Sequence, residues 1–147
     1  MRWRMIDRIN ELVAWRSIAA LKVVSLEEYR LLKPFGSKGE CPQSLLLEAC
    51  VQSCRWLTIV SSDFCLVALP ASIQNFRLER AAAAGDALTI KTVVMNQHEC
   101  VLDAECSVFV SDHLIGGGQI ECQLEPLTEY LNPDHLRMLW REINGAA

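Results

Sequence analysis

Glu48 stands in the middle of a mostly apolar stretch, "SLLLEACVQSCRW" (44–56). A carboxylate taken out of water costs several kcal/mol unless it is paired or protonated. On a helix, Gln52 lies about 40° from Glu48 and Arg55 about 20° to its other side. The three polar groups then form one stripe on an apolar cylinder. A carboxyl group kept in apolar surroundings can hold or take a proton, which is acid–base chemistry. The same spacing also fits an exposed helix edge, or a Glu48–Arg55 ion pair that seals an interface. Other reactive side chains are less well placed. Cys41 precedes Pro42, but no histidine neighbours it in sequence, and a free thiol is mostly protonated at neutral pH. His98, His113 and His135 read as solvated or locally hydrogen-bonded. The seven cysteines form no CxxC pair and no Cys/His grouping with ligand spacing, so neither a metal nor another cofactor is expected. They read as small core residues in a reducing compartment.

The elements that must position this stripe fit within one domain, 1–147, with a helical extension at 132–143. The chain is 51% apolar and 22% charged, enough to build a core and too apolar for disorder. Its net charge of −4, with both signs mixed along the chain, gives no nucleic-acid surface. Lys33, Lys38, Arg77 and Arg80 are candidates for a local basic rim. Asp7, Arg8 and Glu11 interrupt the N-terminal segment, so a signal peptide is not expected. The longest apolar stretches contain Glu48, Gln52 and Arg55 or end at Pro70, so no membrane span is expected and a cytoplasmic protein is the default.

A short helix or turn is predicted around Ile6–Val13, a strand over 17–25, and a helical turn at "LEEYRLL" (26–32). Pro34, Gly36 and Gly39 mark a loop. A long helix begins at Pro42–Gln43 and runs to about Val60, with proline at a recognised starting position. "FCLVALPASIQNFRLER" (64–80) reads as one bent strand or two strands interrupted at Pro70. "AAAAGD" (81–86) reads as a turn with Gly85-Asp86 at its tip. "ALTIKTVVMNQ" and "CVLDAECSVFVSD" alternate as strands. "HLIGGG" is predicted to close a hairpin before a last strand, "QIECQLEPL". Asn132 is predicted to cap a second helix that starts at Pro133 and packs Leu136, Leu139, Trp140 and Ile143. A helix apolar nearly all round must be covered nearly all round. The fold class is therefore α+β, an antiparallel sheet wrapped around one long central helix plus a C-terminal helix. That is the hot-dog arrangement.

Four segments follow in order: "MIDRINEL" (5–12), "SIAALKVVS" (17–25), "KPFGSKGECPQSLLLEACVQ" (33–52) and "RLERAAAAGD" (77–86). In order and spacing, from Met5 to Leu127, they resemble the 3-hydroxyacyl-acyl-carrier-protein dehydratases. The family's segments read L-V-D-R-V-x-E-L, I-V-A-V-K-N-V-T, G-H-F-P-G-x-P-x-x-P-G-x-L-x-x-E-A-x-x-Q and R-F-R-R-P-V-x-P-G-D. Phe35, Pro42, Leu45, Glu48, Ala49 and Gln52 coincide with the third pattern. Arg77, Arg80, Gly85 and Asp86 coincide with the fourth.

The resemblance implies removal of water from a 3-hydroxyacyl thioester on acyl carrier protein or coenzyme A, in fatty-acid or related lipid or polyketide synthesis. A histidine and the helix glutamate, from different subunits of a dimer, would act as base and acid, with a backbone N–H at the helix start on the thioester carbonyl. Glu48 takes the acid–base position and Gln52 an orienting one. Phe35, Gln43, Arg55 and Arg77 are the expected substrate-binding residues. Three positions depart from the pattern. Pro34 replaces the histidine and has no titrating group. Gln43 replaces a glycine beside the carbonyl-binding N–H. Arg55 replaces a small residue and favours a charged carboxylate. The expectation is a hydro-lyase family member with little dehydratase activity by itself, as a homodimer or paired with an active subunit. The alternatives are a thioesterase using Glu48, or a non-catalytic subunit or scaffold.

Overall fold

The computed structural model describes residues 4–25 and 40–145. The expected helical turn at 26–32 and the loop with Pro34 and Phe35 lie outside the described residues. Eight strands and two longer helices follow in order: β1 (Arg8–Val13), β2 (Ser17–Val23), β3 (Glu40–Cys41), α1 (Gln43–Ser61), β4 (Leu66–Leu78), β5 (Ala82–Ala83), β6 (Ala87–His98), β7 (Val101–Val110), β8 (His113–Pro126) and α2 (Pro133–Ile143). Six strands form an antiparallel sheet in the order β1-β2-β6-β7-β8-β4, and β3 pairs with β5.

α1 packs against β2 and β6 as well as β4. β2 and β4 lie toward opposite ends of the sheet, so the sheet must curl around the helix to reach it from both sides. This is the hot-dog fold. Leu46, Ala49, Cys50, Val51, Ser53, Cys54, Leu57, Thr58 and Ile59 are buried. Their near-complete circuit of α1 explains why the sequence lacks a clean amphipathic stripe.

Three local expectations change. Residues 8–13 form a strand, since β1 pairs with β2 from Arg8↔Leu21 to Val13↔Ser17 with an irregularity between Ile9 and Glu11. "AAAAGD" holds the short strand β5 before its turn. Gly85, at φ 95°, then donates its N–H to Val24 O, and Asp86 Oδ2 accepts from Ala83 N. The hairpin between β7 and β8 turns at Ser111-Asp112, both at positive φ, as a two-residue hairpin requires. "IGGG" is therefore interior strand. Gly117 pairs with Arg77 of β4 and Ser107 of β7 and lies close to the β7 backbone, while Gly116 and Gly118 lie close to that of β4. β4 itself is one strand that shifts register after Pro70 and again between Gln74 and Arg77, where Asn75 has φ 55°.

α2 begins as expected: Asn132 Oδ1 accepts from the N–H groups of Asp134 and His135, and Pro133 follows it. Leu136 and Ile143 are buried, Leu139 packs on the cluster of Ile59, Val67 and Leu127, and Trp140 stands 5.7 Å from Trp56. Beyond α2, Asn144 bridges to Ile9 and Gly145 donates its N–H to Ile9 O. The outer border of β1 is thus covered at Ile9.

Between α1 and the sheet lie Cys50, Cys54, Cys106 and Cys122, all buried. Cys54 Sγ is 3.9 Å from Cys106 Sγ, and the Thr92 hydroxyl lies 3.3 Å from Cys106 Sγ and 2.6 Å from the Ser53 hydroxyl. Hydrogen bonding to Cys106, then burial, pushes the Cys50 thiol up. The same bonds, from Cys50 and then Cys54, draw Cys106 down. All seven cysteines are free, and only Cys65 and Cys100 are exposed. A thiol reagent should therefore label two cysteines quickly in the folded protein and all seven in denaturant. Fast labelling of a third would show that the core opens.

Candidate active site

α1 starts after Pro42 with no side-chain cap and no acidic residue in its first turn. The first N–H groups of such a helix have no intrahelical acceptor and carry the positive end of its dipole. Gln43 does not fold back over them. Its Nε2 donates to Phe76 O at 3.2 Å, which ties the helix start to the irregular part of β4 beside Arg77. Arg77 is exposed on β4 opposite Gly117.

One turn into the helix, Gln52 Nε2 donates to Glu48 Oε1 at 3.0 Å, and Gln52 Oε1 accepts the Met5 N–H at 2.9 Å. The amide is oriented by a donor on one side and an acceptor on the other, so it holds the carboxylate in place. The Met5 contact was not visible as a site feature in the sequence. Its signal is the N-terminal segment itself, which must be placed for its backbone to reach α1. Arg55 Nη1 lies 3.9 Å from the same Glu48 oxygen. The Glu48 and Arg55 side chains are 40% and 35% exposed, so within one chain the carboxylate is paired and open to water. It is not sealed among apolar groups. The stripe of Glu48, Gln52 and Arg55 is brought together as the helical spacing requires. Gln43 bonds to the carbonyl of Phe76, the residue before Arg77, and Phe35 lies outside the described residues.

None of the three histidines bonds to this stripe. His98 ends β6, His113 begins β8, and His135 lies in the first turn of α2. A depression of about 310 Å³ on β4 and β6–β8 is lined by Gln74, Met95, Asp103 and Glu121, among others, and does not include Glu48. Among the described residues no group of His, Cys, Asp or Glu is arranged to hold a metal, and no helix is long and apolar enough to cross a membrane.

The chain is 30% identical over 122 residues to 3-hydroxyacyl-acyl-carrier-protein dehydratase FabZ of Anaplasma marginale, covering 79% of this chain and 82% of that protein. The chain belongs to the FabZ dehydratase family. No protein-family model matches it. The FabZ-like chain has the same fold as a Streptococcus mutans protein crystallised with acetyl CoA, at a TM-score of 0.70 and 9% identity, covering 86% of this chain and 94% of that one. It also matches a dehydratase heterocomplex from Xenorhabdus doucetiae at a TM-score of 0.64 and 15% identity, covering 92% and 88%. In this FabZ-like chain Glu48 and Gln52 are hydrogen-bonded to each other, and Arg55 stands 3.9 Å from the same carboxylate.

Proposed function

We propose that the chain is a dehydratase-type subunit that holds an acyl thioester, on acyl carrier protein or coenzyme A, along the exposed stripe of α1. Its thioester carbonyl lies at the uncapped helix start and its reacting carbons lie beside Glu48. The observation that carries this reading is the Glu48–Gln52 pair, held by the Met5 N–H one turn from a helix N-terminus that, among the described residues, has no side-chain cap. Positive backbone groups aimed at a developing oxyanion supply much of the stabilisation such chemistry needs. Family membership supports the acyl-thioester class, and the seven free cysteines suit a reducing, cytoplasmic setting.

The subunit works in a dimer, either with a second copy or with a subunit that bears the family histidine. β4 supports this, because within the described residues it pairs only with β8. The far side of this thirteen-residue strand, with Ile73 exposed, offers an edge to another strand. A thioesterase in which Glu48 activates water is favoured by one observation, the access of solvent to its carboxylate.

Thermal unfolding with a series of acyl-CoA thioesters tests the reading. At 100 times its Kd a ligand adds about 2.7 kcal/mol, a rise of several degrees. No rise with any chain length overturns acyl binding and leaves a scaffold. Release of free thiol, abolished by Glu48→Gln, would make the protein a thioesterase.

A further inference from the structure

Among the described residues Arg55 is under-used. Its Nε is buried and has no hydrogen-bond partner. Its Nη1 approaches Glu48 only to 3.9 Å, while that oxygen already accepts from Gln52 at 3.0 Å. A charge-assisted N–H···O bond is about 2.7–2.9 Å long, so the Glu48 contact is an attraction between charges and not a hydrogen bond. A guanidinium carries five donors in a planar fork that matches a carboxylate. Among the described residues none of the five is satisfied. The group is 35% exposed, so an acceptor from outside the chain can reach it.

The position of Arg55 selects among acceptors. The uncapped helix start, Glu48 and Arg55 follow one another along a single face of α1. The helix rises about 1.5 Å per residue, so the Arg55 backbone is about 10 Å beyond that of Glu48. Its side chain reaches back toward the carboxylate. A thioester anchored at the helix start therefore brings the far end of a short acyl chain to the guanidinium. A plain alkyl end would cover the fork and leave its donors unpaired, whereas a carboxylate end would satisfy two of them at once.

We propose that Arg55 makes this site selective for short acyl thioesters whose chain ends in a carboxylate. The inference rests on the acyl-thioester reading above and specifies its substrate class. The test compares thioesters of equal carbon number by calorimetry: succinyl-CoA against butyryl-CoA, and adipoyl-CoA against hexanoyl-CoA. The carboxylated member of at least one pair should bind about tenfold more tightly or better, which corresponds to about 1.4 kcal/mol. Arg55→Met should erase that preference with oligomeric state unchanged. Arg55→Lys, which keeps stem and charge, should keep part of it, and it serves as the reporter if the methionine variant fails to fold. Equal or tighter binding of both alkyl members by the wild-type protein overturns the proposal and leaves acyl binding standing. Dissociation of the dimer by Arg55→Met also overturns it, because the fork would then serve the partner subunit. If no thioester binds, the acyl-thioester reading falls and this inference falls with it.

Discussion

Alone in solution, the chain should hydrate a short trans-2-enoyl thioester at least about 100-fold more slowly than a histidine-bearing relative, the lower end of what one acid–base residue contributes. The expectation starts from Pro34, which the sequence resemblance sets at the family histidine and whose side chain offers no atom to donate or accept a proton. Mixing or co-expressing the chain with a histidine-bearing subunit should restore turnover, because one site of such a pair would join the partner's base to Glu48. Glu48→Gln in this chain should then remove the restored activity, and the same substitution should change little in the protein by itself. Rapid hydration by the lone chain, measured by loss of enoyl thioester absorbance, would contradict the scheme. Turnover in the mixed pair that survives Glu48→Gln would place the acid elsewhere.

Replacing Gly117 by alanine should lower stability by at least about 3 kcal/mol, in the range reserved for strain and overpacking. For a chain of this length that is a fall in Tm of roughly 10 °C. A Cβ at Gly117 would overlap the carbonyl oxygen of Cys106 and lie 3.1 Å from the Ser107 Cα, and both are backbone atoms of a paired strand. At Gly118 a Cβ would come within 2.7 Å of the Phe76 Cα. These close approaches allow β4 to shift register near Asn75 and bring the Phe76 carbonyl to Gln43 at the helix start. Gly85 gives the comparison. A methyl group there meets nothing within 4 Å, so Gly85→Ala carries only the left-handed backbone penalty of about 1–2 kcal/mol. Scanning calorimetry on the two variants should separate them clearly, and equal melting temperatures would remove the steric argument.

The same glycines show where sequence patterning reached its limit. Alternation revealed β6 and β7, and the apolar run after Pro42 gave α1 nearly to its last residue. Consecutive glycines usually mark a turn, and nothing local distinguishes that use from close packing between two neighbouring strands. The real turn, Ser111-Asp112, has turn-forming residues but lacks the glycine that marks most two-residue hairpins. Ile6, Ile9 and Val13 recur at helical spacing, yet the segment from Arg8 is a strand because β2 offers it a ladder and the irregularity after Ile9 disturbs alternation. Burial along β1 is correspondingly sparse. At the site, the stripe of Glu48, Gln52 and Arg55 was legible because helical geometry fixes it. Its exposure was not, since that depends on how far a curled sheet reaches around the helix. The Met5 contact is a long-range backbone bond, which no local pattern encodes.

The bridge from Asn144 and Gly145 to Ile9 bears on how many copies can join. In the six-stranded sheet it occupies one terminal strand, and α2 anchors it there. Under the β4 pairing proposed above, β1 would be the border left over, and the bridge at Ile9 obstructs it. The proposed pair is thereby protected from the strand-by-strand growth to which a sheet with both ends bare is prone.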